Sequence, residues 1–435
     1  MKILLALLFM SFLMPSSIVT YAIFSLLIIL NQYRVTRHVK ATMIRGDLIF
    51  LIAFFIIHLL WPILILLFDV DYRYSDETVL NYLSKLSFYG IMAFSMGFLL
   101  ISSKKRRGQK LYSERFLDIY GKNIDVLLLI LLVTFYISAG EGYFLGEIYE
   151  KGGSSDTISG LSGYLYSLII VLFFLRITIA IRIPDFIRSK RLNLFKILLG
   201  SFFITSIFSG DRGAVLSILL ALFAFLPMFK MKFSRVKLLA GTIGFILLMG
   251  LIRIWRTTVL SYTNMTDLFF STFINLADSF RVFFYANEII TTEGVYGGLT
   301  WLGPITGTIP FLQGTLVRMN FLSIETLNSP NVFTLYRHKT LNITGEGSTI
   351  AADLLLNFGH FGVVLGMLVI GMIFKKAILV NPFRKSIVTS FSALVLIAFC
   401  VYITRSSILY PLKYILWGIL VHFLLFIISS LRTNE

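Results

Sequence analysis

Cysteine is almost missing from this chain, and the usual catalytic signatures are missing with it. Cys400 is the only cysteine among 435 residues, which excludes an intrachain disulfide and a cysteine-based metal site. The five histidines are scattered without the spacing of metal ligands. No Walker loop, dinucleotide fingerprint or Ser/His/Asp triad signature occurs. An ATP-driven mechanism therefore has no support, and we expect neither a metal nor a cofactor.

Charge is scarce as well. Charged residues make up 14% of the chain and hydrophobic residues 57%, whereas a soluble domain has about 25% charged residues. The apolar residues form runs of about 18–25 residues, the length that crosses a bilayer as a helix. The runs lack the alternation of a β-barrel. We therefore predict an all-α polytopic membrane bundle with about eleven spans. The spans lie at roughly 4–30, 47–68, 82–102, 123–140, 161–181, 195–209, 213–229, 236–254, 350–374, 387–404 and 408–430.

The net charge of +17 comes from basic residues clustered in short loops between the apolar runs. Such clusters mark the cytoplasmic side of a membrane protein, so they do not call for a nucleic-acid partner. The loops 69–77 and 141–156 are net acidic. This alternation predicts an N-terminus outside the membrane and a C-terminus inside.

One connection is much longer than the others, and it divides the chain. We expect an N-terminal membrane bundle at 1–254, a large outer loop at 255–349 and a C-terminal membrane bundle at 350–435. A loop of this length is more often functional than structureless. Its aromatic, amphipathic stretch at 268–289 and its Gly-rich stretch at 294–310 predict short helices along the membrane surface.

The stretch SGDRG at 209–213 places two charges between two apolar runs. A turn explains Asp211, since an acidic residue suits the N-terminus of the next helix. It does not explain Arg212, a cation at the positive end of a helix dipole on the side where loop cations are scarce. Arg212 is therefore a candidate for binding an anion.

Further arginines lie on the predicted outer side, where lysines are few. Arginine binds phosphate through a planar, bidentate fork, so this excess indicates a phosphate-bearing ligand at the outer leaflet. For any one of them, such as Arg337, a snorkelling side chain is the simpler interpretation. The other candidates are Arg256, Arg281, Arg318 and Arg405.

The stretch 337–366 gathers groups that could accept a proton. His338 and Glu346 lie in the loop, although a solvated loop histidine is the plainer interpretation of His338. Asp353 lies near the membrane boundary, where a carboxylate is unfavourable and hence a functional candidate. Asp69 and Asp71 could hold a divalent metal, but a solvated acidic loop explains them better.

Two stretches resemble the Wzy-type O-antigen polymerases. One is SGDRGAVLSILLALF at 209–223, and the other is GEGSTIAADLLLNFGHFGVVLGMLVIG at 345–371. In the second stretch Asp353 occupies a position that is often Glu in the family. The single large outer loop also matches. The resemblance implies a GT-C-like fold in the bacterial inner membrane and a metal-independent glycosyltransferase.

The resemblance also implies the substrates, which are oligosaccharide repeat units on undecaprenyl pyrophosphate. A hydroxyl of the acceptor sugar attacks the anomeric carbon of the donor, and the lipid pyrophosphate leaves. Arg212 and Asp211 come from the motif, whereas the other arginines are assigned by placement alone. His338 is the first choice for the general base, before Glu346 and Asp353. A chain-length regulator and a flippase are expected partners in the same membrane.

Three alternatives stay open. An O-antigen ligase shares the donor but uses another acceptor. A metal-dependent glycosyltransferase would use Asp69 and Asp71. A lipid-oligosaccharide flippase or other transporter would place its charges in a cavity at mid-bilayer, where only Lys85 and Arg176 occur, and both are expected to snorkel.

Overall fold

The computed structural model describes ten stretches of the chain. They are 2–13, 17–36, 43–68, 76–101, 112–144, 161–183, 192–209, 212–224, 278–341 and 345–433. The predicted span 236–254 lies outside the described residues, as do Asp69, Asp71, Asp211 and Arg256. The side chain of Arg212 lies outside them too, although its backbone begins a helix.

All regular structure in the described stretches is helical. The N-terminal part contains α1 (Lys2–Leu13), α2 (Ile18–Thr36), α3 (Gly46–Phe55), α4 (Trp61–Phe68), α5 (Glu77–Leu100), α6 (Glu114–Phe144), α7 (Leu161–Ala180), α8 (Asn193–Phe208) and α9 (Arg212–Phe223). A π-helical turn, Ile56–Leu60, joins α3 to α4. Pro62 follows this turn, and a proline removes a backbone donor from the helix.

The later part contains α10 (Arg281–Thr292), α11 (Leu302–Thr306), α12 (Leu312–Arg318), α13 (Ser329–His338), α14 (Ile350–Ile378), α15 (Ile387–Ala398), α16 (Cys400–Thr404) and α17 (Leu412–Thr433). Short 3-10 turns, Asp278–Phe280 and Leu299–Trp301, precede α10 and α11.

Seven of these helical stretches are long and apolar enough to cross a membrane, and three shorter ones are apolar as well. The prediction of an all-helical, multi-pass membrane bundle is therefore confirmed. The first predicted span differs in detail, because two helices, α1 and α2, occupy the run at 4–30.

Helices α5 and α14 pack tightly along the middle of the bundle. A Cβ at Gly97 would lie 2.0 Å from the Leu368 carbonyl oxygen, and one at Gly371 would lie 2.0 Å from that of Phe94. Any side chain at either position would collide with backbone. Small residues of this kind let membrane helices touch along their backbones.

Helix α14 is interrupted at Gly359, whose φ is +65°. The interruption leaves two carbonyl groups without their usual helical donors. The backbone N–H groups of Tyr296 and Gly297 donate to the carbonyls of Leu356 and Asn357, at 3.0 and 2.8 Å. The loop before α14 is thus bonded into the helix itself.

Helix α10 is amphipathic, and its apolar face is covered by protein. Val282, Phe283, Ala286 and Ile289 are buried in the core that also contains α14. The aromatic pattern around residue 281 is accounted for by packing within the chain.

Residues 278–341 lie at one end of the bundle, which we call the loop end. Ser279 contacts Arg405, and the carbonyl oxygen of Thr308 accepts a hydrogen bond from the Trp417 indole of α17. The beginning of α14 lies at the same end, because Ser329 bonds to Asp353.

Candidate functional site

A buried carboxylate at the loop end is surrounded by basic side chains. Only 3% of the Glu346 side chain is exposed. Its Oε1 lies 2.8 Å from Arg337 Nη1 and 2.6 Å from His338 Nε2, and its Oε2 lies 2.7 Å from Arg281 Nε. The Glu346 backbone N–H donates to Thr334 Oγ1 at 3.0 Å. We call Arg281, Arg337, His338 and Glu346 the Glu346 cluster.

Three separate segments bring the cluster together. Arg281 begins α10, Arg337 and His338 end α13, and Glu346 precedes α14. Basic residues suit the last turn of a helix, because the carbonyl groups there carry partial negative charge. Lys339, directly after α13, adopts a left-handed conformation that ends the helix, and Glu346 lies against Arg337 and His338.

The cluster has more positive than negative charge, and it is open on one side. Two guanidinium groups and an imidazole share one carboxylate. About a third of the Arg337 side chain (33%) and a quarter of the Arg281 side chain (26%) remain exposed. Each guanidinium has five N–H donors in a rigid fork, and part of each side chain reaches the surface. The arrangement can therefore hold an anion against two oriented arginines.

Arg405 contacts the turn that precedes α10. Its Nε donates to Ser279 Oγ at 3.3 Å, and Ser279 is two residues before Arg281 in the chain. Arg318, in contrast, is exposed at the end of α12, where no described residue forms an ion pair or a hydrogen bond with its side chain. Arg212 begins α9.

Asp353 is enclosed. Its side chain has no exposed surface, its Oδ2 accepts from Trp301 Nε1 at 2.8 Å, and its Oδ1 accepts from the Ser329 hydroxyl. Asn357, four residues later, packs its amide nitrogen 2.7 Å from Thr300 Oγ1. Asp353 thus ties the turn before α11 and the beginning of α13 to α14. Because His338 ends α13, this network orients the helix that presents the imidazole.

The family was settled by comparison of the sequence. The model of the O-antigen polysaccharide polymerase Wzy family matches residues 1–434. The chain belongs to that family. This confirms the resemblance seen in the two motifs, and the chain is accordingly a polysaccharide repeat-unit polymerase, a multi-pass membrane glycosyltransferase. No curated protein and no solved structure matches it.

The structure of this Wzy-family chain corrects two interpretations of single arginines. Arg337 does not simply snorkel, because it is paired with the buried Glu346. Arg176 does not snorkel either. Only 2% of its side chain is exposed, and its Nε and Nη2 bind Asp125 at 2.7 and 2.9 Å. Lys85 is half-buried, with its Nζ 6.0 Å from the centroid of the Tyr89 ring.

Sequence reasoning missed part of the site. The sequence favours snorkelling for Arg337 and assigns no role to Trp301, Ser329 or Asn357. One signal was available, since Asp353 and Asn357 are four residues apart and so share a helix face in an otherwise apolar run. In the described part of this Wzy-family chain, no group of three or more His, Cys, Asp or Glu residues could hold a metal ion. Metal-independent transfer stays a prediction.

Proposed function

We propose that this polymerase moves a growing glycan from undecaprenyl pyrophosphate onto a new lipid-linked repeat unit at the outer face of the bacterial inner membrane, with the pyrophosphate held at the Glu346 cluster. The observation that carries the proposal is the buried carboxylate of Glu346 with two part-exposed arginines and a histidine around it.

Arg281 and Arg337 would stabilise the leaving pyrophosphate. Negative charge develops on the phosphate oxygen as its bond to the anomeric carbon breaks. Donors that are already oriented before the reaction stabilise such charge most effectively, and Glu346 orients both guanidinium groups. Arg405 extends the positive surface through Ser279. Arg212, assigned from the family motif, would act on the same group; Arg318 and Arg256 would bind elsewhere along the substrate.

His338 is the proposed general base. Glu346 lies against Nε2, which fixes the orientation of the ring and leaves Nδ1 as the nitrogen to face the substrate. The acceptor hydroxyl oxygen would form the new bond to the anomeric carbon while its proton passes to Nδ1. Glu346 is a poorer base because both of its oxygens contact cations. Asp353 has no surface to offer a hydroxyl, so we assign it a positioning role.

The topology follows from the same proposal. The apolar helices, together with the predicted span 236–254, give eleven spans in a GT-C-like arrangement. The loop end faces the periplasm with the N-terminus, and the C-terminus is cytoplasmic. The chain then has an N-terminal membrane part at 1–254, a periplasmic loop at 255–349 and a C-terminal membrane part at 350–435. A flippase would deliver the repeat units, and a chain-length regulator would act alongside.

The test is polymer formation by purified protein in detergent from lipid-linked repeat units. Wild type should give a ladder of lengths, Arg281→Ala should leave single repeat units, and Arg281→Lys should recover a fraction of the product. Arg384→Ala, at an exposed arginine outside the cluster, is the matched control and should behave as wild type.

The assay separates the alternatives. Detergent has no two sides, so a flippase would make no polymer there. A ligase would make product only when lipid A core is supplied as the acceptor. A normal ladder from Arg281→Ala, at equal protein concentration, would remove the pyrophosphate role from the Glu346 cluster.

A further inference from the structure

Part of the loop end carries large apolar side chains that are exposed in the described part of the chain. The stretch 299–324, which we call the apolar segment, includes α11 and α12. Phe321 is 75% exposed and Phe311 is 66% exposed. Ile305, Ile309 and Met319 are also exposed. Contiguous exposed apolar surface of this kind marks a contact with lipid or with another protein.

The composition of the segment is that of a lipid-facing element. From Gly294 to Ile324 the only charged residue is Arg318. Helices α11 and α12 have 5 and 7 residues, so neither can cross a bilayer, which takes about 20 residues. The segment can enter one leaflet at most.

The apolar segment joins the lipid-facing surface of the bundle at both of its edges. At one edge the Trp301 ring lies 4.9 Å from that of Phe358 on α14, and the same helix exposes Phe361. At the other edge the Phe311 ring lies 5.2 Å from that of Tyr164, at the beginning of α7. The exposed surface therefore adjoins the ends of two helices, α7 and α14, that are long and apolar enough to cross a membrane.

The depth of the segment is indicated by a cluster of Lys413, Tyr164 and Trp417, of which Trp417 is buried against the protein. The Lys413 ammonium lies 5.3 Å from the Tyr164 ring centroid and 4.8 Å from that of Trp417. Trp, Tyr and Lys gather where hydrocarbon meets headgroups. Trp417 also donates its indole N–H to the Thr308 carbonyl, within the apolar segment, which places the segment at the same level.

We propose that residues 299–324 are immersed in the leaflet at the loop end, with Phe311, Met319 and Phe321 among the acyl chains. The occupant of this surface is lipid, not a partner protein, because the surface continues that of the spans and carries a single charge. Trp301 then connects the immersed segment to Asp353, so the membrane itself holds the loop in register with the Glu346 cluster.

The test uses the scarcity of cysteine. In a Cys400→Ser background, single cysteines replace Phe311, Phe321 or, as the matched control, the exposed Glu325. Each is labelled with an environment-sensitive fluorophore after reconstitution into vesicles of bacterial phospholipid without other proteins. Labels at 311 and 321 should emit at shorter wavelength and be quenched by doxyl-labelled lipid. The label at 325 should be quenched by iodide present on both sides.

Two results would overturn the proposal. Equal iodide quenching at 311, 321 and 325 would place the segment in water. If the labels at 311 and 321 are protected from iodide in native membranes but not in phospholipid vesicles that contain only this protein, the surface would be assigned to a protein partner. The folding of each labelled variant is checked by its polymer ladder. If the proposed chemistry is wrong, wild type and all variants lack the ladder, whereas the quenching results still report on immersion of the segment.

Discussion

Two buried carboxylates in this molecule bind arginine in opposite ways. Inside the bundle, Asp125 on α6 meets one arginine, Arg176 on α7, through two parallel hydrogen bonds, and both side chains are buried. At the loop end, Glu346 meets two arginines and a histidine, and all three basic side chains reach the surface.

The two arrangements differ in how much positive charge is not neutralised by the carboxylate. The Asp125–Arg176 pair is balanced in charge and closed to solvent, so a ligand does not reach it and its effect is on helix packing. The Glu346 cluster has positive charge to spare at an open surface. Burial of a carboxylate therefore does not by itself indicate a binding site, and it is the excess of cations around Glu346 that supports the proposed one.

The largest effect is expected from breaking the closed pair. Asp125→Ala would leave Arg176 buried without its counter-ion, and loss of one partner of a buried pair lowers the free energy of unfolding by about 3–5 kcal/mol. The measurement is thermal unfolding in detergent. Asp118→Ala, on the same helix, removes only an exposed pair with Lys122, for which about 0.5 kcal/mol or less is expected. Equal losses from the two variants would contradict the contrast.

The second effect concerns the open cluster. Arg337→Ala should lower the polymerisation rate by about 10²–10³-fold, the loss typical of one oriented donor to developing charge. The unfolding temperature should change little, because Arg281 still pairs with Glu346. Initial rates with purified protein measure this. Lys339→Gln, two residues further on, should keep the wild-type rate. A similar drop in rate from this variant would mean that the loss of any nearby positive charge slows the reaction, and not the loss of a specific contact.

The third effect concerns the link between the two regions. Trp301→Phe keeps an aromatic ring but removes the N–H that donates to buried Asp353. An unsatisfied buried acceptor lowers the free energy of unfolding by about 1–3 kcal/mol. Thermal unfolding is again the measurement, with Trp417→Phe, which removes a donor to a backbone carbonyl, as the comparison. An unchanged unfolding temperature for Trp301→Phe would mean that Asp353 does not anchor the loop.

The smallest effect is a pH dependence at the loop end. Burial, and next the hydrogen bond to Glu293, raise the pKa of Tyr296 to about 12 from an ordinary value of 10.0. The neutral phenol is thus favoured in the folded state. Its contribution to the free energy of unfolding is complete below pH 10 and is lost as the pH rises towards 12. The difference in unfolding temperature between wild type and Tyr296→Phe should shrink over this window. A constant difference would contradict the assignment.

The hydropathy of the sequence predicts where the helices lie but does not predict which charged residues pair. Apolar runs such as 161–181 appear as helices close to their predicted bounds, because span length is a local property of the sequence. Arg176 and Asp125 are 51 residues apart, and no local pattern links them. For the site, Arg281, His338 and Glu346 were named separately, but their convergence depends on the packing of α10 against α13 and α14, which sequence alone does not give.

The interruption at Gly359 has a consequence for biogenesis. An unpaired carbonyl in hydrocarbon is unfavourable by several kcal/mol, and Leu356 and Asn357 obtain their partners from Tyr296 and Gly297, some sixty residues earlier in the chain. Those donors are synthesised first. We expect the nascent loop to be translocated before the following helix is inserted. The interrupted turn of α14 is then completed during membrane insertion by chain made about sixty residues before it.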